Sequence, residues 1–314
     1  MIRKQVSRYI LMIRPAHFGF NTETAVNNAF QSNDASLTNT QISDKAVQEF
    51  DAFVSLLKSK GINVYVLQDS AEPVKPDAIF PNNWISFHED GTVITYPMFA
   101  KVRRLERNDE VLDLLEHDFW VVDHLHMEEA EDDNLYLEGT GSMVLDRVSR
   151  IAYACLSPRT DKNLFEDFCK LNGYEAVSFT AVDQNDQLIY HTNVMMALGE
   201  SFVVIALDSV QDNDERILLL NKFTETNKEV IEISLEQMNA FAGNMLEVQS
   251  NQGVNYLVMS TTAYNSLSKE QINRLKEHTE ILVPTIDVIE KYGGGSVRCM
   301  MAEIFLPEKH LAEN

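Results

Sequence analysis

One spacing constrains this chain more than any other feature. Five polar residues, Asn83, Glu138, His191, Asn244 and Cys299, each stand just ahead of a segment that reads as a β-hairpin. They fall 55, 53, 53 and 55 residues apart (83→138→191→244→299). The same unit recurs around them: an amphipathic helix, a strand, then a hairpin. In the first unit Val47, Phe50, Phe53, Val54 and Leu57 repeat at helical spacing up to Gly61. "INVYVLQD" follows as a strand, and "NWISFHEDGTVITYPM" folds about Asp90-Gly91. "ERNDEVLDLLEHD", "WVVDHL" and "GSMVLDRVSRIAYACLS" make the second set. Similar sets follow, and "SKEQINRLKEH" and "EILVPTI" give the last helix and strand. A fixed period of this size marks repeated supersecondary units. "YILMIRP" near the start and "MAEIFLP" near the end are expected to pair and close a ring. Equivalent positions of such a ring face one axis, so the five polar residues are predicted to converge. The alternative is an open α/β sheet with accidental regularity.

No Pro/Gly/Ser-rich linker divides the chain, so residues 1–314 read as a single domain. The formal net charge is −22, with 48 acidic against 26 basic residues. Such a chain is repelled by phosphate backbones and anionic membranes, which argues against nucleic-acid or membrane partners. "YILMI" is too short an apolar run for a signal-peptide core or a membrane span. The cysteines are three, Cys155, Cys169 and Cys299, without Cys/His ligand spacing. A disulfide framework or a zinc site is therefore not expected, and a reducing cytoplasm fits.

Cys299 follows the run Gly293-Gly294-Gly295 and adjoins Arg298. Glycines let backbone approach a ligand closely, and a nearby cation favours a nucleophilic thiolate. Cys155 and Cys169 read as small buried hydrophobes. His191 sits among apolar residues, where a histidine is usually a satisfied core residue. Its alignment with Cys299 and Glu138 points instead to a proton shuttle. Glu138, in "LYLEGTGSMV", needs a partner in that apolar setting and could hold an imidazolium or a cationic substrate. The acidic run 127–134 lacks the spacing of a calcium loop and reads as a solvated turn. "GGGS" lacks the ending of a phosphate-binding loop.

"GGGSVRCM", "LEGTG" and "YHTNV" resemble the signatures of the guanidino-group-modifying superfamily. Its members include arginine deiminases, dimethylarginine hydrolases, amidinotransferases and succinylarginine dihydrolase. The resemblance runs along essentially the whole chain. "MIRPAHFGFNTETAVNNAFQ" and "DAIFPNNW" are most similar to the citrulline-utilisation hydrolases. The resemblance implies an α/β fold, a five-bladed propeller of ββαβ units with pseudo-fivefold symmetry. It implies a nucleophile at Cys299, a general acid/base at His191 and an orienting carboxylate at Glu138, with no metal or organic cofactor. "LSPRT" resembles a motif whose arginine, here Arg159, holds the substrate carboxylate, and "KVRRLE" resembles a basic loop in which Arg103 or Arg104 assists.

Two departures from the family pattern bear on substrate. Asn83, and Asn82 before it, stand where guanidinium-processing relatives carry acids, and Asn193 stands where they carry Asp. A carboxylate suits a cationic guanidinium, whereas an amide offers donors and an acceptor to a neutral ureido group. The expected activity is therefore hydrolysis of citrulline to ornithine, carbon dioxide and ammonia. Asn83 and Asn193 would orient the ureido group, and Asn244 completes the set. Arginine or acyl-arginine deiminase or dihydrolase chemistry, and amidino transfer, are the enzymatic alternatives. A catalytically silent amino-acid-binding protein is the non-enzymatic one. The expected partner is a small amino-acid substrate, and whether copies form a homo-oligomer stays open.

Overall fold

A computed structural model describes residues 3–26, 28, 30–32 and 36–309. Its fifteen named strands form five mixed sheets of three strands each. β1 (Tyr9–Arg14) runs parallel to β2 (Asn63–Gln68). β3 (Ile85–Phe87) pairs antiparallel with β4 (Thr92–Thr95), which runs parallel to β5 (Asp123–His126). The same order repeats in β6 (Val144–Asp146), β7 (Ile151–Cys155) and β8 (Glu175–Phe179). It repeats again in β9 (Met196–Leu198), β10 (Phe202–Ile205) and β11 (Glu229–Glu232). A further copy is β12 (Leu246–Gln249), β13 (Asn255–Val258) and β14 (Glu280–Leu282). β15 (Ala302–Ile304) then returns antiparallel to β1, with Tyr9 opposite Ile304 and Leu11 opposite Ala302. The two ends of the chain thus share one sheet, as the "YILMIRP" and "MAEIFLP" segments predict.

Helices between the parallel strands bury one face against these sheets. The first, Asn39–Ser59, buries Ile42, Ala46, Phe50, Phe53, Val54 and Leu57. It begins earlier than its apolar repeat predicts, because Thr38 and Gln41 cap each other's backbone N–H reciprocally. β5 begins later than "WVVDHL" suggests. The Trp120 and Val122 N–H groups go to the Pro307 and Gly91 carbonyls before the ladder with β4 starts. Pro284 follows closely on β14, so that strand stops at Leu282. The acidic run predicted as a solvated turn is a 3₁₀ segment, Met127–Asp133, and part of it is engaged: Glu131 pairs with Arg104 and Arg107. No helix among the described residues is long and apolar enough to cross a membrane.

Candidate active site

Four of the five periodic residues stand at the head of an antiparallel hairpin, and the fifth, Cys299, stands ahead of the strand that pairs with β1. Asn83 closes the 3₁₀ turn Pro81–Asn83 ahead of β3. Glu138 and His191 cap the short helical turns Gly139–Ser142 and Thr192–Met195 that lead into β6 and β9. Asn244 precedes β12, and Cys299 precedes β15. The repeat brings them together: Glu138 meets His191, Asn244 meets Cys299, and Asn83, His191 and Cys299 line one cavity. Glu138, His191, Asn83, Asn244 and Cys299 are all buried, at 5% exposure or less.

The Glu138 carboxylate accepts from His191 Nε2 at 2.7 Å and from the Phe99 N–H at 2.9 Å, and Arg159 Nη1 lies 3.6 Å from it. Burial alone would raise its pKa, but Arg159, the His191 hydrogen bond and Arg103 together hold it down at about 2. A carboxylate can only accept, so the His191 proton resides on Nε2 and Nδ1 is left as a base. Burial pushes the imidazole down to about 4, against the opposing pull of Glu138. His191 is therefore neutral near pH 7.

Two amide groups serve the sulfur. Asn244 Nδ2 lies 3.3 Å from Cys299 Sγ, and Asn193 Nδ2 lies 3.6 Å from it. Asn244 Oδ1 accepts from the Arg298 N–H at 3.0 Å, which turns its NH₂ toward the sulfur. Donors aimed at sulfur stabilise negative charge developing there. Cys155 differs: burial pushes its thiol up to about 12, and its only polar partners among the described residues are Thr192 and the Ile189 carbonyl.

The triple glycine makes this approach possible. Gly294 ends the helix Asp287–Gly293 with φ +64, and a Cβ there would lie 2.6 Å from Gln31 and 2.7 Å from Asn28. Instead the Gly293 carbonyl accepts from Gln31 Nε2 at 3.0 Å, and that of Gly294 from the Tyr190 hydroxyl at 2.9 Å. The glycine run thus packs under the N-terminal segment and forms one wall of an open cavity of about 280 Å³. Asn83, Arg103, Arg159, His191 and Cys299 line it, together with Thr24, Asn28, Asp77, Phe80 and Tyr190.

Not every residue singled out in the sequence faces this cavity. Arg104 lies outside, donating to the Met98 carbonyl at 3.0 Å and lying 3.3 Å from Glu131. Asn82 is fully buried off the cavity, and its side-chain amide has no hydrogen-bond partner among the described residues. Asn193 and Asn244 sit behind the sulfur and do not line the space for a substrate. Arg103 does line it, but its donors go to Glu106 at 2.8 Å, to Asn83 Oδ1 at 2.8 Å and to the Phe80 carbonyl at 3.1 Å. Burial works against its charge, yet the Glu106 carboxylate overrides this and raises its pKa.

Asp77 is the residue the sequence reading passed over. It is buried at the cavity, with Oδ2 taken by Asn21 at 2.7 Å and Thr24 at 3.3 Å, and Oδ1 without a partner among the described residues. Its signal was an acid inside the apolar "DAIF", directly ahead of the two asparagines.

Residues 14–306 match the model of the eukaryotic N,N-dimethylarginine dimethylhydrolase family. The chain belongs to this family. It is thereby placed among the hydrolases that act on carbon–nitrogen bonds within the guanidino-modifying, amidinotransferase-like superfamily. No curated protein matches its sequence. Solved structures do share the fold of this chain. The N-terminal domain of ArgZ, an arginine dihydrolase from the ornithine–ammonia cycle in cyanobacteria, superposes with a TM-score of 0.73 at 17% identity. That match covers 95% of this chain and 98% of the domain. Unliganded AgrE gives 0.73 at 18% identity, over 95% of this chain and 39% of its own. A dimethylarginine dimethylaminohydrolase, captured as an adduct with S-methyl-L-thiocitrulline, gives 0.66 at 16% identity, over 95% and 100%. The chain spans about two fifths of full-length ArgZ and AgrE.

Proposed function

We propose that this dimethylhydrolase-family chain hydrolyses the ureido group of citrulline, giving ornithine, carbon dioxide and ammonia. The observation that carries the reading is the orientation of Asn83. Arg103 can only donate, so the amide oxygen of Asn83 must face it, across 2.8 Å. The Asn83 NH₂ is thereby turned to the side of Gly141 and the His191 ring, buried and without a partner among the described residues. An orphaned donor at the cavity calls for an acceptor. A ureido carbonyl supplies one, while a guanidinium offers only donors.

The geometry supports the following roles for the other residues. Neutral His191 takes the proton of the Cys299 thiol, and the thiolate attacks the ureido carbon with Asn193 and Asn244 supporting the sulfur. The imidazolium, held by Glu138, delivers that proton to the leaving nitrogen. In the second half-reaction His191 activates water, which releases the acyl group from sulfur as carbamate, and this breaks down to carbon dioxide and ammonia. Arg159 anchors the α-carboxylate, and Asp77 Oδ1 takes the α-ammonium. The five sheets are the blades of a pseudo-fivefold propeller, and residues 1–314 form one catalytic domain.

The likeness to ArgZ, an arginine dihydrolase, and to AgrE, seen with L-arginine, favours a second reading in which the same cavity acts on arginine. One experiment separates them. Purified protein is incubated with citrulline or arginine and the products are identified by mass. Ornithine from citrulline, with arginine unchanged, supports the first reading; citrulline left intact overturns it.

A further inference from the structure

A second cavity lies at the other end of two of these strands. β6 and β15 start beside Glu138 and Cys299, and Arg147 and Phe305 follow their far ends. These two residues line a space of about 590 Å³ that shares no residue with the catalytic cavity.

Arg147 is 94% buried, its relative exposure being 6%. Its guanidinium stacks on the Phe305 ring, 3.9 Å from the centroid. Its backbone N–H is taken by Gln5 at 2.8 Å, but no acceptor among the described residues receives its guanidinium donors. Two carboxylates, Glu89 and Asp90, line the same cavity, and both are held by groups other than Arg147. Glu89 pairs with Arg3 at 3.1 Å and lies 3.8 Å from Arg150, and Asp90 accepts from the Thr92 N–H at 3.0 Å. Arg150 stands beside the same cavity, its guanidinium 4.0 Å over the Tyr174 ring and donating to the Asn172 and Gly173 carbonyls, so it adds charge more than free donors. His88, also on the wall, adds no charge: burial, with Arg147 behind it, pushes the imidazole down to about 3. Three arginines thus meet at one cavity in a chain of net charge −22, and the most buried of them has no counter-ion among the described residues. A buried, unpaired cation is costly, and stacking on one ring offsets only part of that cost.

We propose that this cavity is an anion-binding site, in which Arg147, with Arg150 beside it, takes the carboxylate or phosphate group of a small metabolite. A planar guanidinium with free donors suits either oxyanion through paired hydrogen bonds. The site is separate from the catalytic one and does not depend on the citrulline reading.

The test is thermal unfolding of the whole protein in low-salt buffer. Inorganic phosphate and succinate are titrated separately, with sodium chloride at matched ionic strength as control. A saturable rise in Tm with phosphate, with succinate or with both is expected; which of the two acts identifies the oxyanion. Arg147→Met should abolish the rise and, with no anion added, unfold no earlier than the parent, since it removes an uncompensated charge and keeps an apolar stem on Phe305. Arg147→Lys, which keeps the charge but loses the fork, should bind roughly tenfold more weakly by calorimetry. The proposal is overturned if neither anion shifts the parent beyond the chloride control, or if the shift survives in both variants. It fails equally if Arg147→Met is markedly less stable than the parent without anion, which would make Arg147 a packing residue.

Discussion

Arg103 Nη1 lies 2.8 Å from Asn83 Oδ1, and Glu106 holds the other side of the same guanidinium at 2.8 Å. A buried ion pair thus sets which end of an amide faces a reacting group. Asn83→Asp replaces the inward donor by a carboxylate oxygen. At an effective dielectric of ~20, one charge 4 Å from a cation is worth roughly 4 kcal/mol before desolvation and the opposing Arg103 are counted against it. We expect about a tenfold shift in selectivity, with citrulline kcat/KM falling and arginine binding tighter. The ratio of specificity constants, or of inhibition constants if arginine is not turned over, is the measurement. A ratio that stays put would mean that Asn83 does not read substrate charge.

Cys299 and Cys155 are both buried thiols, and their surroundings predict opposite fates. Cys299→Ala should remove turnover and leave the fold intact. Cys155→Ala should stay active. Iodoacetamide, followed by peptide mass analysis, should label Cys299 and spare Cys155, whose thiol is pushed up to about 12. Retention of a tenth of the parent rate by Cys299→Ala would remove the covalent mechanism.

His191 titrates at about 4 in the folded chain against 6.5 in its absence of burial, and Glu138 at about 2 against 4.5. In both cases the unfolded state binds protons first as pH falls, so both groups cost stability on the acid side. The His191 contribution is lost between pH 6.5 and 4, and that of Glu138 between 4.5 and 2. Down to pH 5 the His191 step alone amounts to about 2 kcal/mol. Urea unfolding at pH 7 and pH 5 should show a smaller loss in His191→Gln than in the parent. In kinetics the neutral base is needed, so citrulline kcat/KM should hold down to about pH 4 and fall below it. An acid limb near pH 6.5 would show that His191 is not the buried base described here.

The 55–53–53–55 spacing was enough to find four of the five sheets' hairpins and the convergence of Asn83, Glu138, His191, Asn244 and Cys299. A period along the chain becomes a shared position in space, and that survives weak similarity between units. What stayed illegible is where each side chain points. Asn193 belongs to the sulfur, not to the substrate space, because a helical turn after His191 rotates it there. The roles of Arg103 and Arg104, adjacent in sequence, part because the 3₁₀ segment Lys101–Glu106 aims one at Glu106 and Asn83 and the other at Glu131. Asp77 lies outside the repeat altogether, so no period could mark it.

Gly141 tests how tightly the cluster is set. It stands in the turn after Glu138, and a Cβ added there would lie 2.3 Å from Asn83 Nδ2 and 2.9 Å from His191 Cε1 and Nδ1. Flexible side chains would yield to such a contact at little cost. These two cannot, since Arg103 fixes one and Glu138 the other. Gly141→Ala should therefore displace both groups by a fraction of an ångström or more. Misplacement on that scale costs on the order of 100-fold in kcat, and the overpacking destabilises by about 1–3 kcal/mol. Gly253→Ala is the control: at φ +81 with nothing within 4 Å, it strains a hairpin turn far from the cavity. It should cost about 1–2 kcal/mol of stability and leave citrulline turnover unchanged. Comparing Tm and kcat in the two variants separates a loss of fold from a loss of alignment. If Gly141→Ala turns over citrulline at the parent rate, Asn83 and His191 are not held in the positions on which the proposed chemistry depends.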